Sequence, residues 1–393
     1  MSRAALWNGT ILADRQFLSG MAVLIEDGLI TDIIAESDIP DDSDRHDLGG
    51  ATVLPGFIDI QVNGGGGVLF NDAPTVETIR QIGAAHRQFG TTGFLPTLIS
   101  DDLDVVAAAL SATAHAMEEG VPGVLGIHLE GPFLSSDRKG IHDPDKFLTL
   151  QEQHLDVLTP LPQGVTMMTV APEQIAPALI RRLTERGIVV SLGHSNADHA
   201  QTRAALDHGA TGFTHLFNAM SSITAREPGV VGTALDDAES WCGLILDNIH
   251  VAPAVLRIAF RAKSLDKYIL VTDAMPSVGM TDKSFALQGR QIRVENGVCV
   301  NEEGTLAGSD LSMDRAVRNG AAFDEVGLID AVRMASANPA AFLGLDRQIG
   351  TIAPGKKASL VAVNDKLDIL ETWIDGVPSG SPSSGLYSLS TSQ

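Results

Sequence analysis

Short apolar runs recur through the middle of the chain at 57–60, 94–98, 124–129, 166–170, 188–192, 211–214, 243–246 and 269–271. Helix-patterned stretches separate most of them, including 76–89, 103–119, 175–186 and 253–262. This alternation predicts a parallel sheet, because a helical crossover is what returns the chain to begin another parallel strand. Eight such strands suffice to close a (β/α)8 barrel of the TIM type, so the expected fold class is α/β. The runs are not copies of one another, and there is no internal repeat.

The two ends have a different pattern. Residues 23–26 and 30–34 read as strands around the turn signal Asp27-Gly28, and the acidic stretch 37–47 reads as an exposed loop. Residues 359–363 and 369–374 are also strand-like, with Asp375-Gly376 as a turn. Chain ends often lie close together, so these segments are expected to pair into one module. The predicted division is a small β-sandwich from 1–52 plus 353–393 and a barrel from 53–352. The last dozen residues, rich in Ser, Gly and Pro, read as a flexible tail.

Length and charge narrow the classes. A chain of 393 residues accommodates a barrel of ~250 residues plus a satellite module. With Lys+Arg 27 against Asp+Glu 49 the net charge is −22, a field that repels nucleic acid and anionic membranes. Contacts to an anionic substrate would have to be local. Cys242 and Cys299 have no ligand or disulfide spacing and read as buried free thiols of a reducing compartment. The N-terminal residues lack an apolar signal core, and no run of 18 apolar residues occurs, so the expected address is the cytoplasm.

The chemistry is concentrated at the end of each apolar run. These strand ends bear Gln61 and Asn63, Thr97, Glu130, Glu173, His194, His215, Asp247 and Asp273. Barrels of this type build their active sites at the C-terminal ends of the strands. Glu130, His194 and His215 end the third, fifth and sixth runs, and one carboxylate with two imidazoles and an open fourth position is a catalytic zinc set. Any one of them alone would pass for a polar residue capping a strand; the three together would not. Zinc lowers the pKa of its water from ~15.7 to ~7, worth ~12 kcal/mol of hydroxide formation, which a lone aspartate cannot match. Asp273 ends the eighth run, where a carboxylate could take a proton from that water and return it to a leaving amine; the plainer alternative is a helix cap. His128 shares a strand face with Glu130 and reads first as a satisfied core histidine. His86, His115, His154, His199 and His208 fall in helices or loops and read as surface.

The motifs that carry a family resemblance are Pro55-Gly56-Phe57-Ile58-Asp59-Ile60-Gln61-Val62-Asn63-Gly64, His128-Leu129-Glu130-Gly131-Pro132-Phe133, Gly140-Ile141-His142-Asp143-Pro144, Gly193-His194-Ser195-Asn196-Ala197, His215-Leu216-Phe217-Asn218-Ala219-Met220, Arg226-Glu227-Pro228-Gly229, Asp247-Asn248-Ile249-His250-Val251, Val271-Thr272-Asp273-Ala274 and Leu306-Ala307-Gly308-Ser309. In that order they resemble the N-acetylglucosamine-6-phosphate deacetylases of the amidohydrolase superfamily, over nearly the whole chain. The superfamily usually carries a His-x-His pair after the first strand for a second metal; this chain has Gln61-Val62-Asn63 there. The resemblance therefore implies one divalent metal per subunit, zinc foremost, with iron, manganese or cobalt able to take its place. It implies that His142 polarises the acetyl carbonyl, that the Asn218 side chain and Ala219 backbone contact the sugar phosphate, and that Gln61 contacts the substrate or orders water. It also implies a homodimer in which Arg226 and His250 cross from the neighbouring subunit to the phosphate. The expected reaction is hydrolysis of N-acetyl-D-glucosamine 6-phosphate to D-glucosamine 6-phosphate and acetate. Rival readings are the N-acetylgalactosamine 6-phosphate epimer, a two-metal ring-opening amidohydrolase, and a non-catalytic sugar-phosphate-binding barrel. The segment 275–282 departs from the family's pattern and is expected in a lid or the acetyl-side wall.

Overall fold

A computed structural model describes residues 3–295 and 297–380, so the expected tail lies outside the described residues. At its centre eight parallel strands pair in chain order: β1 (Phe57–Val62), β2 (Thr91–Ile99), β3 (Gly126–Glu130), β4 (Val165–Val170), β5 (Val189–Leu192), β6 (Gly212–Phe213), β7 (Trp241–Ile245) and β8 (Tyr268–Val271). All nine residues of β2 and all six of β1 are buried, as expected of parallel strands covered on both faces. The barrel is nearly closed. No ladder joins β8 to β1; a single bridge, Val62 to Ala274, spans the seam.

The helices arise where the apolar spacing places them. Val76–Arg87 begins at Thr75, whose side chain accepts from the Thr78 N–H, and buries Ile79 and Ile82. Pro177–Glu185 and Pro253–Ala262 both start on proline, which needs no donor there. Among the described residues, no helix is long and apolar enough to cross a membrane.

Both termini build two sheets beside the barrel. Leu29–Ala35, Met21–Glu26, Arg3–Trp7 and Asp44–Asp47 form one; Val377–Pro378, Ile369–Ile374, Leu360–Val363, Thr52–Pro55, Thr10–Ala13 and Gln16–Ser19 form the other. Leu6, Val23, Val53, Leu360 and Trp373 pack in one buried cluster drawn from both ends of the chain. The turn at Asp27-Gly28 has φ of 49° and 82°, the positive pair a tight hairpin needs.

Two features differ from the sequence reading. Within the expected loop 37–47, Asp44–Asp47 is an edge strand pairing parallel to Arg3–Trp7; every one of its residues is exposed, so no apolar alternation marks it. Between the eighth strand and the next helix stands a four-stranded insertion, Phe285–Leu287, Arg290–Glu295, Val298–Val300 and Leu306–Ser309. Its strands are short and buried mainly through Leu287, Ile292, Cys299 and Ala307 against Ile99, Ile141 and Met275.

Candidate metal centre

Glu130 closes β3, and its alternation puts it on the barrel's inner face together with His128. His194 and His215 each come two residues after a strand, at positive φ of 45° and 36°, and Asp273 does the same after β8 at 53°. Such backbone is costly for residues with a β-carbon, on the order of 1–3 kcal/mol each. Here it turns three side chains sharply into the barrel mouth.

The donors converge. Glu130 Oε1 lies 3.2 Å from His194 Nε2 and 3.0 Å from His215 Nε2, and the two Nε2 atoms are 3.0 Å apart. All three residues are buried. A tetrahedral ion with bonds of ~2.0–2.1 Å would separate its ligands by about 3.3 Å, so the spacing suits one small divalent cation. His194 Nδ1–H donates to the Arg138 carbonyl at 2.8 Å, which leaves the Nε2 lone pair facing the cluster. His215 Nδ1 is buried without a hydrogen-bond partner. Burial alone would raise the Glu130 pKa, but hydrogen bonds and charge from both histidines hold it well below the usual carboxylate range.

Asp273 faces this cluster from across the mouth. Its Oδ1 accepts from Asn63 Nδ2 at 2.7 Å and Gln61 Nε2 at 3.2 Å. Burial and then the Glu130 charge push its pKa up to about 6. Gln61 Nε2 also contacts both Glu130 oxygens, at 3.2 and 3.1 Å. His142 sits 4.4 Å, ring to ring, from His194, with Nδ1 against Ser100 Oγ at 2.9 Å and the Ser100 N–H at 3.4 Å. Burial, then the nearby His194 charge, lowers the His142 pKa to about 3, so the ring is neutral. Beneath the cluster lies a hydroxyl layer: His128 contacts Thr97 and Thr169, Thr169 contacts Thr214, and Thr214 contacts Ser191. His128 is thus a satisfied core residue.

A cavity of about 390 Å³ opens over these groups. Asn63, His142, Asn218, Ala219, His250 and Asp273 are in its wall, and the insertion adds Thr305, Leu306 and Gly308. Of 275–282, Met275 alone lines it. His250 lines the cavity of this chain, and Asp247 Oδ2 holds its Nδ1 at 2.6 Å. The Gln61 amide is taken up by Glu130 and Asp273. One expectation is corrected: His86 is fully buried, bonded to the Gly64 carbonyl at 2.9 Å under the first strand's loop. Arg226 lies on an exposed loop outside the cavity wall. Sequence reasoning treated Asn63 only as a poor metal ligand and passed over Ser100, whose hydroxyl character gave no spacing signal.

Residues 52–383 match the amidohydrolase family, and residues 5–53 match the NagA composite domain. The chain is 42% identical over 368 residues to the N-acetylgalactosamine-6-phosphate deacetylase of Shewanella sp. (strain ANA-3), covering 93% of each chain. It is 34% identical over 375 residues to the N-acetylglucosamine-6-phosphate deacetylase of Haemophilus influenzae, covering 95% of this chain and 98% of the relative. The crystal structure of N-acetylglucosamine-6-phosphate deacetylase from Pasteurella multocida superposes with a TM-score of 0.92 at 33% identity, covering 96% of this chain and 99% of that one. The chain belongs to the amidohydrolase family, whose members are metal-dependent hydrolases.

Proposed function

We propose that this amidohydrolase hydrolyses the acetamide of N-acetyl-D-glucosamine 6-phosphate, releasing D-glucosamine 6-phosphate and acetate, in amino-sugar metabolism. The observation that carries the reading is one cavity in which Glu130, His194 and His215 converge opposite Asp273. Relatives that bear this activity in their names match end to end.

Glu130, His194 and His215 would hold one divalent ion per chain, zinc foremost, though iron, manganese and cobalt accept the same donors. When bound, such an ion supplies Lewis acidity toward a carbonyl oxygen and acidifies water. A single ion fits the amides of Gln61 and Asn63, which are engaged with Glu130 and Asp273. Asp273 takes the proton of the attacking water and returns it to the departing amine; its burial raises its pKa above that of an ordinary carboxylate, which favours its holding the proton in between. Ser100 takes up His142 Nδ1 through its N–H at 3.4 Å and its hydroxyl at 2.9 Å, which leaves Nε2 toward the substrate. With Nδ1 as the acceptor, Nε2–H would be a neutral donor for the developing oxyanion.

The Asn218 side chain and Ala219 backbone, in the cavity wall, would contact the sugar phosphate, and His250 would help complete the phosphate site. Arg226 reaches a phosphate from the neighbouring subunit of a homodimer: its loop is exposed and carries Ile223, 54% exposed, as His250 comes directly after Ile249, 46% exposed. Its planar fork suits a phosphate. The buried free thiols Cys242 and Cys299 suit the cytoplasm.

A second reading, the galacto epimer, is favoured by the Shewanella relative's name at 42% identity. Metal analysis combined with kcat/KM on both acetylated hexosamine 6-phosphates tests the proposal. The expected outcome is one metal per chain, acetate release, and preference for the gluco sugar. Preference for the galacto sugar replaces the substrate; no acetate from either at full metal content rejects the function.

A further inference from the structure

Asp59 lies in the middle of β1 and is fully buried. Its carboxylate accepts from the Gln61 N–H at 3.2 Å, the Thr272 N–H at 3.2 Å and the Thr272 hydroxyl at 2.5 Å; no cation is among these partners. They stand on opposite sides of the barrel seam. Gln61 is on β1, and Thr272 comes directly after β8, where no strand ladder joins the two. A carboxylate has more acceptor positions than a single backbone carbonyl, so it can take donors from both strands at once. Asp59 thereby adds to the backbone bonds that cross the seam from Asp273 N–H to the Gln61 carbonyl and from the Asn63 and Gly64 N–H groups to the Ala274 carbonyl.

Both residues it grips lead to the same atom. Thr272 precedes Asp273, whose backbone is held at a φ of 53° by its N–H on the Gln61 carbonyl at 3.0 Å and its carbonyl on the Ser309 N–H at 2.9 Å. Ser309 Oγ in turn donates to the Thr272 carbonyl at 2.5 Å. Gln61 reaches the Asp273 carboxylate itself through its side chain.

We propose that Asp59 is a positioning residue for the hydrolytic reaction, clasping Gln61 and Thr272 across the seam so that the Asp273 carboxylate stays aimed at the metal centre. This rests on Asp273 carrying the proton in the function proposed above. Burying an acid without a cation disfavours the folded state, and burial pushes the Asp59 carboxyl up to about 7. A residue serving only to pack the barrel would lower stability when removed; Asp59 is expected to do the reverse.

The test uses the metal-loaded, full-length protein with Asp59→Asn, Thr272→Val and Thr272→Ser, measuring metal content, melting temperature, KM and kcat for acetate release. A misaimed group far from the chemistry can cost about a hundredfold in rate. Asp59→Asn and Thr272→Val are each expected to lower kcat by about ten- to a hundredfold, with KM and metal content kept and the melting temperature not lowered. Thr272→Ser, which retains the hydroxyl, should stay near the parent. The double variant Asp59→Asn/Thr272→Val should be no slower than the worse single one, since both break one linkage. An unchanged kcat in Asp59→Asn, multiplicative losses in the double variant, or losses that track melting temperature or metal content overturn the proposal. An active parent with an unaffected Asp59→Asn overturns this inference alone; a parent that releases no acetate overturns the proposed function as well.

Discussion

At the barrel mouth, the side reached by β3, β5 and β6 gathers Glu130, His194 and His215, while the side closed by β1 and β8 gathers Asp59, Gln61, Asn63 and Asp273. The first group rests on strands paired in an unbroken ladder, and its donors converge to 3.0–3.2 Å. The second spans the seam and is joined by side-chain amides and hydroxyls. Their electrostatics diverge accordingly. Two imidazoles hold Glu130 ionised in spite of its burial. Charge from His215 and His250 offsets burial only in part at Asp273, no imidazole acts on Asp59, and burial raises the two to about 6 and about 7. One half of the mouth is prepared to keep a cation, the other to exchange a proton, which is the division of labour that hydrolysis by an activated water needs.

The largest effect should come from the first half. Glu130→Gln removes the only anionic donor of the cluster, and a buried pair of imidazoles remains without it. Metal content by elemental analysis is expected to fall to near zero, and acetate release to the uncatalysed background. Full occupancy in Glu130→Gln would show that the two halves do not divide as described. Asp273→Asn probes the other half: the amide keeps the shape and loses the proton-accepting site. One metal per chain and a KM within a few-fold of the parent are expected, with kcat lower by about 10²–10⁴. Metal loss in Asp273→Asn would instead make it a ligand and merge the halves.

The two halves were not equally legible in the sequence. Glu130, His194 and His215 stand at strand ends in residue types that have few reasons to occur together, so periodicity and ligand chemistry suffice to find them. Asp273 was found in the same way. The group supporting Asp273 was not, because the barrel seam is a property of closure: residues 59 and 272 become neighbours only when the first strand meets the eighth. Asp59 sits inside an apolar run, where alternation gives no hint of what its side chain reaches. The insertion that lines the cavity with Thr305 and Leu306 was missed because its strands run only three to six residues, too short to show a clear alternation. His86 was misread as surface for a related reason. A helix places it toward the loop after β1, and only the tertiary contact with Gly64 shows that this face is interior.

The finest distinction between the halves is in stability against pH. In the folded chain Asp59 titrates near about 7, while an unfolded aspartate titrates near 3.8. The native state therefore keeps a proton that the unfolded state has already released, and stability contributed by this group falls as pH rises from about 4 through about 7. Asp59→Asn has no proton to lose and escapes that decline. Relative to the parent, the variant should gain about 2–3 kcal/mol between pH 5 and pH 8, at 1.36 kcal/mol per pH unit over the part of the window below about 7. Urea unfolding of both proteins at the two pH values measures it. A difference that stays constant would mean that the seam carboxylate is ionised throughout, as Glu130 is, and the electrostatic contrast between the two sides of the mouth would reduce to Asp273 alone.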